Sequence, residues 1–226
     1  MIKENVANIR AVLEQAAIKA GRDPKTISLC AATKMNDADR VQQAIAAGVD
    51  CCGENRVQEL TEKAAQNAYV GAPVHFIGHL QTNKVRQVVG KVELIQSVDS
   101  MRLLEAINKE AAKLGICQDI LLEINVAAEE SKTGFTPREL PEILSAAAKM
   151  ESVRVLGLMA IPPVSTAPGS NNPWFIKMRK LFETVPGATV LSMGMSDDFA
   201  DAIACGSTMI RVGTAIFGRR NYNQTK

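Results

Sequence analysis

The sequence has no long hydrophobic run, no excess of one charge, and no cysteine pair at zinc-ligand or redox spacing. Each absence excludes something. No apolar stretch approaches the length of a bilayer-spanning helix, so no membrane partner is expected. The net charge over 226 residues is only +2, which gives no bulk attraction to nucleic acid or to an anionic membrane. The five cysteines stand at 30, 51, 52, 117 and 205, an odd number. A reduced, cytoplasmic protein is the simplest expectation, with Cys51-Cys52 as strand filler. The opening Met1-Ile2-Lys3-Glu4-Asn5 reads as an amphipathic helix without a secretory pattern. Internal repeats, low-complexity runs and an interdomain linker are also missing, so residues 1–226 are expected to form a single domain.

What is present is alternation. Ile2, Val6, Ile9, Leu13 and Ala17 recur at helical spacing and predict a first helix. Eight strand patterns follow, at 27–34, 49–52, 74–80, 92–95, 120–126, 153–159, 189–193 and 209–212. Helical patterns separate them. One, beginning Thr136-Pro137-Arg138-Glu139, carries an N-cap, a first-turn proline and a reciprocal capping glutamate, and is predicted to run to about Met150. Short connections between alternating elements imply right-handed βαβ units on a parallel sheet. An α/β (β/α)₈ barrel of TIM type is the expected fold, with the extra N-terminal helix covering the place of an eighth outer helix. An open doubly wound sheet is the runner-up. The proline- and serine-rich segment 162–173 is expected to be the most mobile.

The run Ile27-Ser28-Leu29-Cys30-Ala31-Ala32-Thr33-Lys34 ends a buried strand on an ammonium. Such a group is costly to desolvate unless it is paired, neutralised or used covalently. A lysine reaching to solvent from the sheet edge is one reading, and an amine for Schiff-base chemistry is the other. In barrels of this type the strand C-termini form the working face. Here those ends carry Lys34, Glu54-Asn55, His79, Ser97-Val98-Asp99, Asn125, Met159, Ser196 and Arg211-Val212-Gly213-Thr214. The last two strand ends are glycine-rich, which suits a phosphate held by backbone N–H groups. Ser196 reads equally as a helix N-cap. Asp197 and Asp198 oppose an anion unless they point away. A strand-end lysine facing a phosphate-type loop pair suggests pyridoxal 5′-phosphate (PLP), with Arg211 placed to meet the ring nitrogen. Arg211 paired with a barrel carboxylate such as Glu123 is the alternative.

The chain resembles the pyridoxal phosphate homeostasis proteins, also described as proline synthetase co-transcribed homologues. The matching segments include Thr33-Lys34, Gly53-Glu54-Asn55 with Val57-Gln58-Glu59, His75-Phe76-Ile77-Gly78-His79-Leu80-Gln81, Gly157-Leu158-Met159, Met193-Gly194-Met195-Ser196, and Arg211-Val212-Gly213. They span nearly the whole chain. Met35-Asn36-Asp37 departs from the family's usual run after the lysine. The resemblance implies an alanine-racemase-like barrel with PLP on Lys34. It implies Ser196, Gly213 and Thr214 at the phosphate, Arg211 at the ring nitrogen, and Asn55 and Met159 lining the pocket. It also implies a cofactor buffer or carrier in vitamin B6 homeostasis, without an established reaction. Apo PLP-dependent enzymes would be its recipients, and a monomer is expected rather than a stable oligomer. His75 and His79 are expected on one strand face, as barrel residues or cofactor contacts.

Two rival classes remain open. Amino-acid racemases resembling this barrel add a β domain that supplies a tyrosine. The tyrosines here are Tyr69 and Tyr222, neither obviously placed as that base. A Schiff-base aldolase would instead use Lys34 directly on a sugar phosphate.

Overall fold

The computed structural model describes residues 1–129 and 132–218. Tyr222 lies outside them. Eight parallel strands close into a barrel in the order β1 to β8. They are β1 (Ser28–Ala32), β2 (Cys51–Glu54), β3 (Val74–Phe76), β4 (Leu94–Val98), β5 (Gln118–Glu123), β6 (Val153–Met159), β7 (Val190–Ser192) and β8 (Met209–Val212). The pairing of β1 with β8 closes the ring and excludes the open sheet. The helices are α1 (Ile2–Lys19), α2 (Ala38–Ala46), α3 (Val57–Ala65), α4 (Met101–Leu114), α5 (Leu140–Ala147), α6 (Asn172–Phe182), α7 (Phe199–Ala204) and α8 (Thr214–Phe217). No helix among the described residues is long and apolar enough to cross a membrane.

The expected role of the first helix holds. Ile2, Val6, Ile9, Leu13 and Ala17 are all buried, and they share a cluster with Leu29, Ala31, Ile210, Val212 and Phe199. Thus α1 covers the β1–β8 seam, against α7, α8 and α2. Alternate residues of the same strands face inward. Cys30 pairs in register with Cys51 on one side and Arg211 on the other.

Several elements differ from the sequence reading. The third strand stops at Phe76 rather than reaching residue 80. Beyond it, Gly78 lies so close to Asn55 that a Cβ there would stand 2.1 Å from the Asn55 carbonyl oxygen. The pattern from Lys84 is a 3₁₀ helix, Thr82–Gln87, in a stretch whose buried Val85, Val88 and Val89 are β-branched and disfavour a full α-helix. The fifth strand ends at Glu123, because Asn125 turns to close its own loop, its Nδ2 donating to the Glu129 carbonyl at 2.8 Å. The helix expected from Pro137 begins only at Leu140. Its glutamate does reach back: Thr136 N–H and Oγ1 both donate to Glu139 Oε2 at 2.7 Å. Within the segment 162–173, two residues bond to α7 and to the residue before it. Asn171 Nδ2 donates to Asp198 Oδ2 at 2.8 Å, and Gly169 N–H donates to Asp201 Oδ2 at 2.7 Å.

Candidate functional site

Lys34 follows β1 at the C-terminal mouth of the barrel, half-buried. Its backbone is gripped from both sides. On one side, Thr33 N–H bonds the Gly53 carbonyl at 2.9 Å, and Thr33 Oγ1 donates to Glu54 Oε1 at 2.5 Å. On the other, Met35, at a left-handed φ of 60°, donates its N–H to Glu59 Oε2 at 2.6 Å. Thr33 is fully buried, and strand alternation turns the next residue toward the mouth.

The anchor beneath this loop is a buried network that sequence reasoning missed. Glu54 is fully buried and points outward toward α3, not onto the rim where it was expected. Its Oε1 accepts from Thr33, from Lys63 Nζ at 2.7 Å and from Tyr69 OH at 2.9 Å. Lys63 Nζ also donates to the Thr33 carbonyl at 2.8 Å and to Glu59 Oε2 at 3.2 Å. The available signal was Glu59 and Lys63, four apart on one helix after a strand-end glutamate. Tyr69 is therefore held against Glu54, where burial and that carboxylate raise its pKa.

A cavity of about 330 Å³ opens at the mouth. Lys34, Asn55, Ser196, Arg211, Gly213 and Thr214 all line it, together with Ala32, Ile77, Ile161, Met195 and Asp197. Six of the seven expected site residues thus come together. The seventh, Met159, is wholly buried with Leu94 and Leu121 in the barrel interior and is not among the lining residues. Asn55 Oδ1 is buried and has no hydrogen-bond partner among the described residues, an unsatisfied acceptor beside the cavity that Asn55 lines.

Ser196 does not cap α7 as one reading had it. Its Oγ accepts the Ala215 N–H at 3.3 Å, which joins the β7 and β8 loops. The residue preceding α7 is Asp198, buried, whose carboxylate accepts from Met195 N–H at 2.7 Å and from Asn171. Of the two opposing aspartates, only Asp197 is exposed and reaches the cavity. Gly194 shapes the turn: its φ is +94°, and a Cβ would meet the Ala202 Cβ at 2.5 Å.

Arg211 is buried at 4 % exposure. Nη1 donates to Ser192 Oγ at 2.6 Å and Nη2 to the Ala160 carbonyl at 2.9 Å. The expected alternative of a direct pair with Glu123 is not what orients it. Burial lowers its pKa, while Cys30, Glu123 and Asp198 favour its charge. Glu123 itself is pushed up by burial and by Asp99, with Thr133 Oγ1 at 3.2 Å working the other way. Below Arg211 a polar chain descends the barrel. Ser192 Oγ donates to Gln96 Oε1 at 2.7 Å, and Gln96 Nε2 lies 2.9 Å from His75 Nδ1. The two histidines therefore do not share a face. His75 is buried in the interior, whereas His79 is exposed beyond β3, 2.8 Å from Asp99. His79 lines a neighbouring groove with Arg56 and Lys84.

The family described as alanine racemase, N-terminal domain, matches residues 2–221. A relative from Aquifex aeolicus, called pyridoxal phosphate homeostasis protein, is 39% identical over 97% of this chain and 98% of its own. The solved structure of PipY from Synechococcus elongatus, with PLP bound, aligns with a TM-score of 0.83 at 32% identity, covering 96% of this chain and 100% of that one. An alanine racemase from Clostridium difficile shares the fold at a TM-score of 0.70 and 15% identity; the match covers 99% of this chain and 59% of the racemase. This chain belongs to the alanine racemase N-terminal domain family and, within it, to the pyridoxal phosphate homeostasis proteins.

Proposed function

We propose that this protein holds pyridoxal 5′-phosphate on Lys34 and serves to buffer or deliver the cofactor, with little or no turnover of its own. The observation that carries the reading is one cavity lined by an amine, a partnerless buried acceptor, a hydroxyl tied to a helix start, and a buried guanidinium. The PLP-bound PipY structure and the shared name of the relatives support it. When bound, PLP supplies an aldehyde for an amine and an electron-withdrawing ring. Lys34 supplies the amine. Ser196, with the backbone of Gly213 and Thr214, receives the phosphate. Arg211 has five N–H donors, of which Ser192 and Ala160 take two, so donors remain for a ring nitrogen.

Arg211 also argues for holding rather than catalysis. A guanidinium donates and does not deprotonate, so it disfavours protonation of the ring nitrogen and weakens the ring as an electron sink. Among the described lining residues there is no tyrosine, histidine or cysteine to move a proton on the opposite face, and Tyr69 is held by Glu54. Proton transfer by a positioned group contributes about 10²–10⁴-fold. The test is incubation of the loaded protein with L-amino acids in deuterated water. Trace α-proton exchange, with transfer of PLP to an apo-enzyme, is the expected result. Sustained turnover that disappears in Lys34→Ala would overturn the holder reading.

The phosphate assignment has its own test. A hydrogen bond to a charged group contributes about 1.5–3 kcal/mol. Ser196→Ala should weaken PLP binding by that amount and leave unphosphorylated pyridoxal nearly unchanged. Equal losses for the two ligands would remove Ser196 from the phosphate site. The cytoplasm and a monomeric state complete the proposal, to be checked by fractionation and by sedimentation.

A further inference from the structure

Beneath the rim, the barrel interior brings together side chains that the rim chemistry does not use. Cys30 on β1, Cys51 on β2 and His75 on β3 each offer one ligating atom, and the three atoms lie within 4.8 Å of one another. No sequence spacing announces them, because they come from three strands. Register assembles them: Cys30 pairs with Cys51, and Gly53, two residues on, pairs with His75. Their exposures are 0%, 2% and 3%. Met209 belongs to the same cluster as the two cysteines and adds a thioether sulfur. A tetrahedral zinc bound at about 2.3 Å sets its sulfurs roughly 3.8 Å apart, so this group is near ligation distance already.

We propose that Cys30, Cys51 and His75 form a binding site for a thiophilic metal ion, Zn²⁺ foremost, in the floor of the barrel. The donor set decides the class. Two thiolates and an imidazole favour Zn²⁺ or Cu⁺ over Mg²⁺ or Ca²⁺, which prefer oxygen. Two thiolates neutralise a divalent ion, so its binding adds no net charge to the barrel interior. Gln96, held by Ser192 Oγ, stands 2.9 Å from His75 Nδ1; metal binding through His75 Nε2 needs that amide turned so that its oxygen accepts from Nδ1–H. The cluster lies toward the N-terminal mouth. His75 Nε2 is 3.8 Å from Glu93, whose side chain is 64% exposed just before β4, at the N-terminal mouth. A bound ion would tie β1, β2 and β3 together beneath Lys34 and Asn55. The site stands independently of PLP binding at the opposite mouth.

The test uses the full chain, stripped with chelator and reductant and then dialysed anaerobically against Zn²⁺, Co²⁺ or Cu⁺. One equivalent of Zn²⁺ or Cu⁺ per chain is expected by elemental mass spectrometry. The Co²⁺ form should show a near-ultraviolet thiolate charge-transfer band, a readout that needs no variant. Cys51→Ser and His75→Gln should lose the metal, and Cys117→Ser, at an exposed position, should keep it. Metal at background level in the wild type overturns the proposal. So does a cobalt form without the thiolate band, or full occupancy in folded Cys51→Ser.

Discussion

Lys34→Ala will remove the visible absorbance of bound PLP from the purified protein and leave its far-ultraviolet dichroism unchanged. On the proposed reading the Lys34 amine, which lines the cavity, condenses with the cofactor's aldehyde, and alanine has nothing to replace it. The fold should survive, because the loop is gripped through its neighbours: Thr33 by Gly53 and Glu54, and Met35 by Glu59. Residual binding through Ser196, Arg211 and the β8 loop should persist as a weak, dialysable complex that absorbs like the free cofactor. Borohydride reduction of the wild type, followed by peptide mapping, checks the assignment directly. The label should fall on Lys34. Its appearance on Lys132, which lines an adjoining pocket with Glu123 and Ile161, would mean that the wrong amine has been assigned.

The second large effect lies away from the cavity. Lys63→Met will lower stability by about 3–5 kcal/mol, the cost of leaving one member of a buried ion pair without its partner. For a chain of this size, at about 2–4 °C per kcal/mol, that is a fall in Tm of roughly 10 °C. Glu54 has no exposure, and its Oε2 has no partner among the described residues, so only the neutral hydroxyls of Thr33 and Tyr69 remain on the carboxylate. The same change removes a donor from the Thr33 carbonyl, next to Lys34, so PLP affinity should fall along with stability. Calorimetry of Lys63→Met beside the double variant Glu54→Gln/Lys63→Met separates the causes. The double variant should recover part of the loss, because the uncompensated charge is gone. A single variant that melts like the wild type would show that the network contributes little.

The architecture was legible because its signals are local. Period-2 and period-3.6 patterns alternate along the chain, and most strand ends are marked by a polar residue or a glycine. Ile2, Val6, Ile9, Leu13 and Ala17 announced α1 and its buried face without any tertiary information. Lys34, Ser196, Arg211, Gly213 and Thr214 could be placed on one rim because parallel strands in a barrel all end on the same side. Less legible was how far each strand persists. The third stops at Phe76 because Gly78 must pass against the Asn55 backbone, a contact between segments more than twenty residues apart.

The sequence alone therefore determined the order of the elements, and it made a closed parallel barrel with Lys34, Ser196, Arg211, Gly213 and Thr214 at its C-terminal mouth the expected fold; the β1–β8 pairing decided closure. Only the tertiary structure decided which way each polar residue faces. Glu54 turns outward to Lys63 while Asn55 turns into the cavity; Met159 sinks into the interior; His75 goes to the floor while His79 stays on the rim. The reason is physical. Side chains alternate every residue along a strand, so facing depends on the exact register of pairing between neighbouring strands. Register is set by packing across the whole ring. For that reason Cys30, Cys51 and His75, far apart along the chain, became neighbours only when β1, β2 and β3 paired in register.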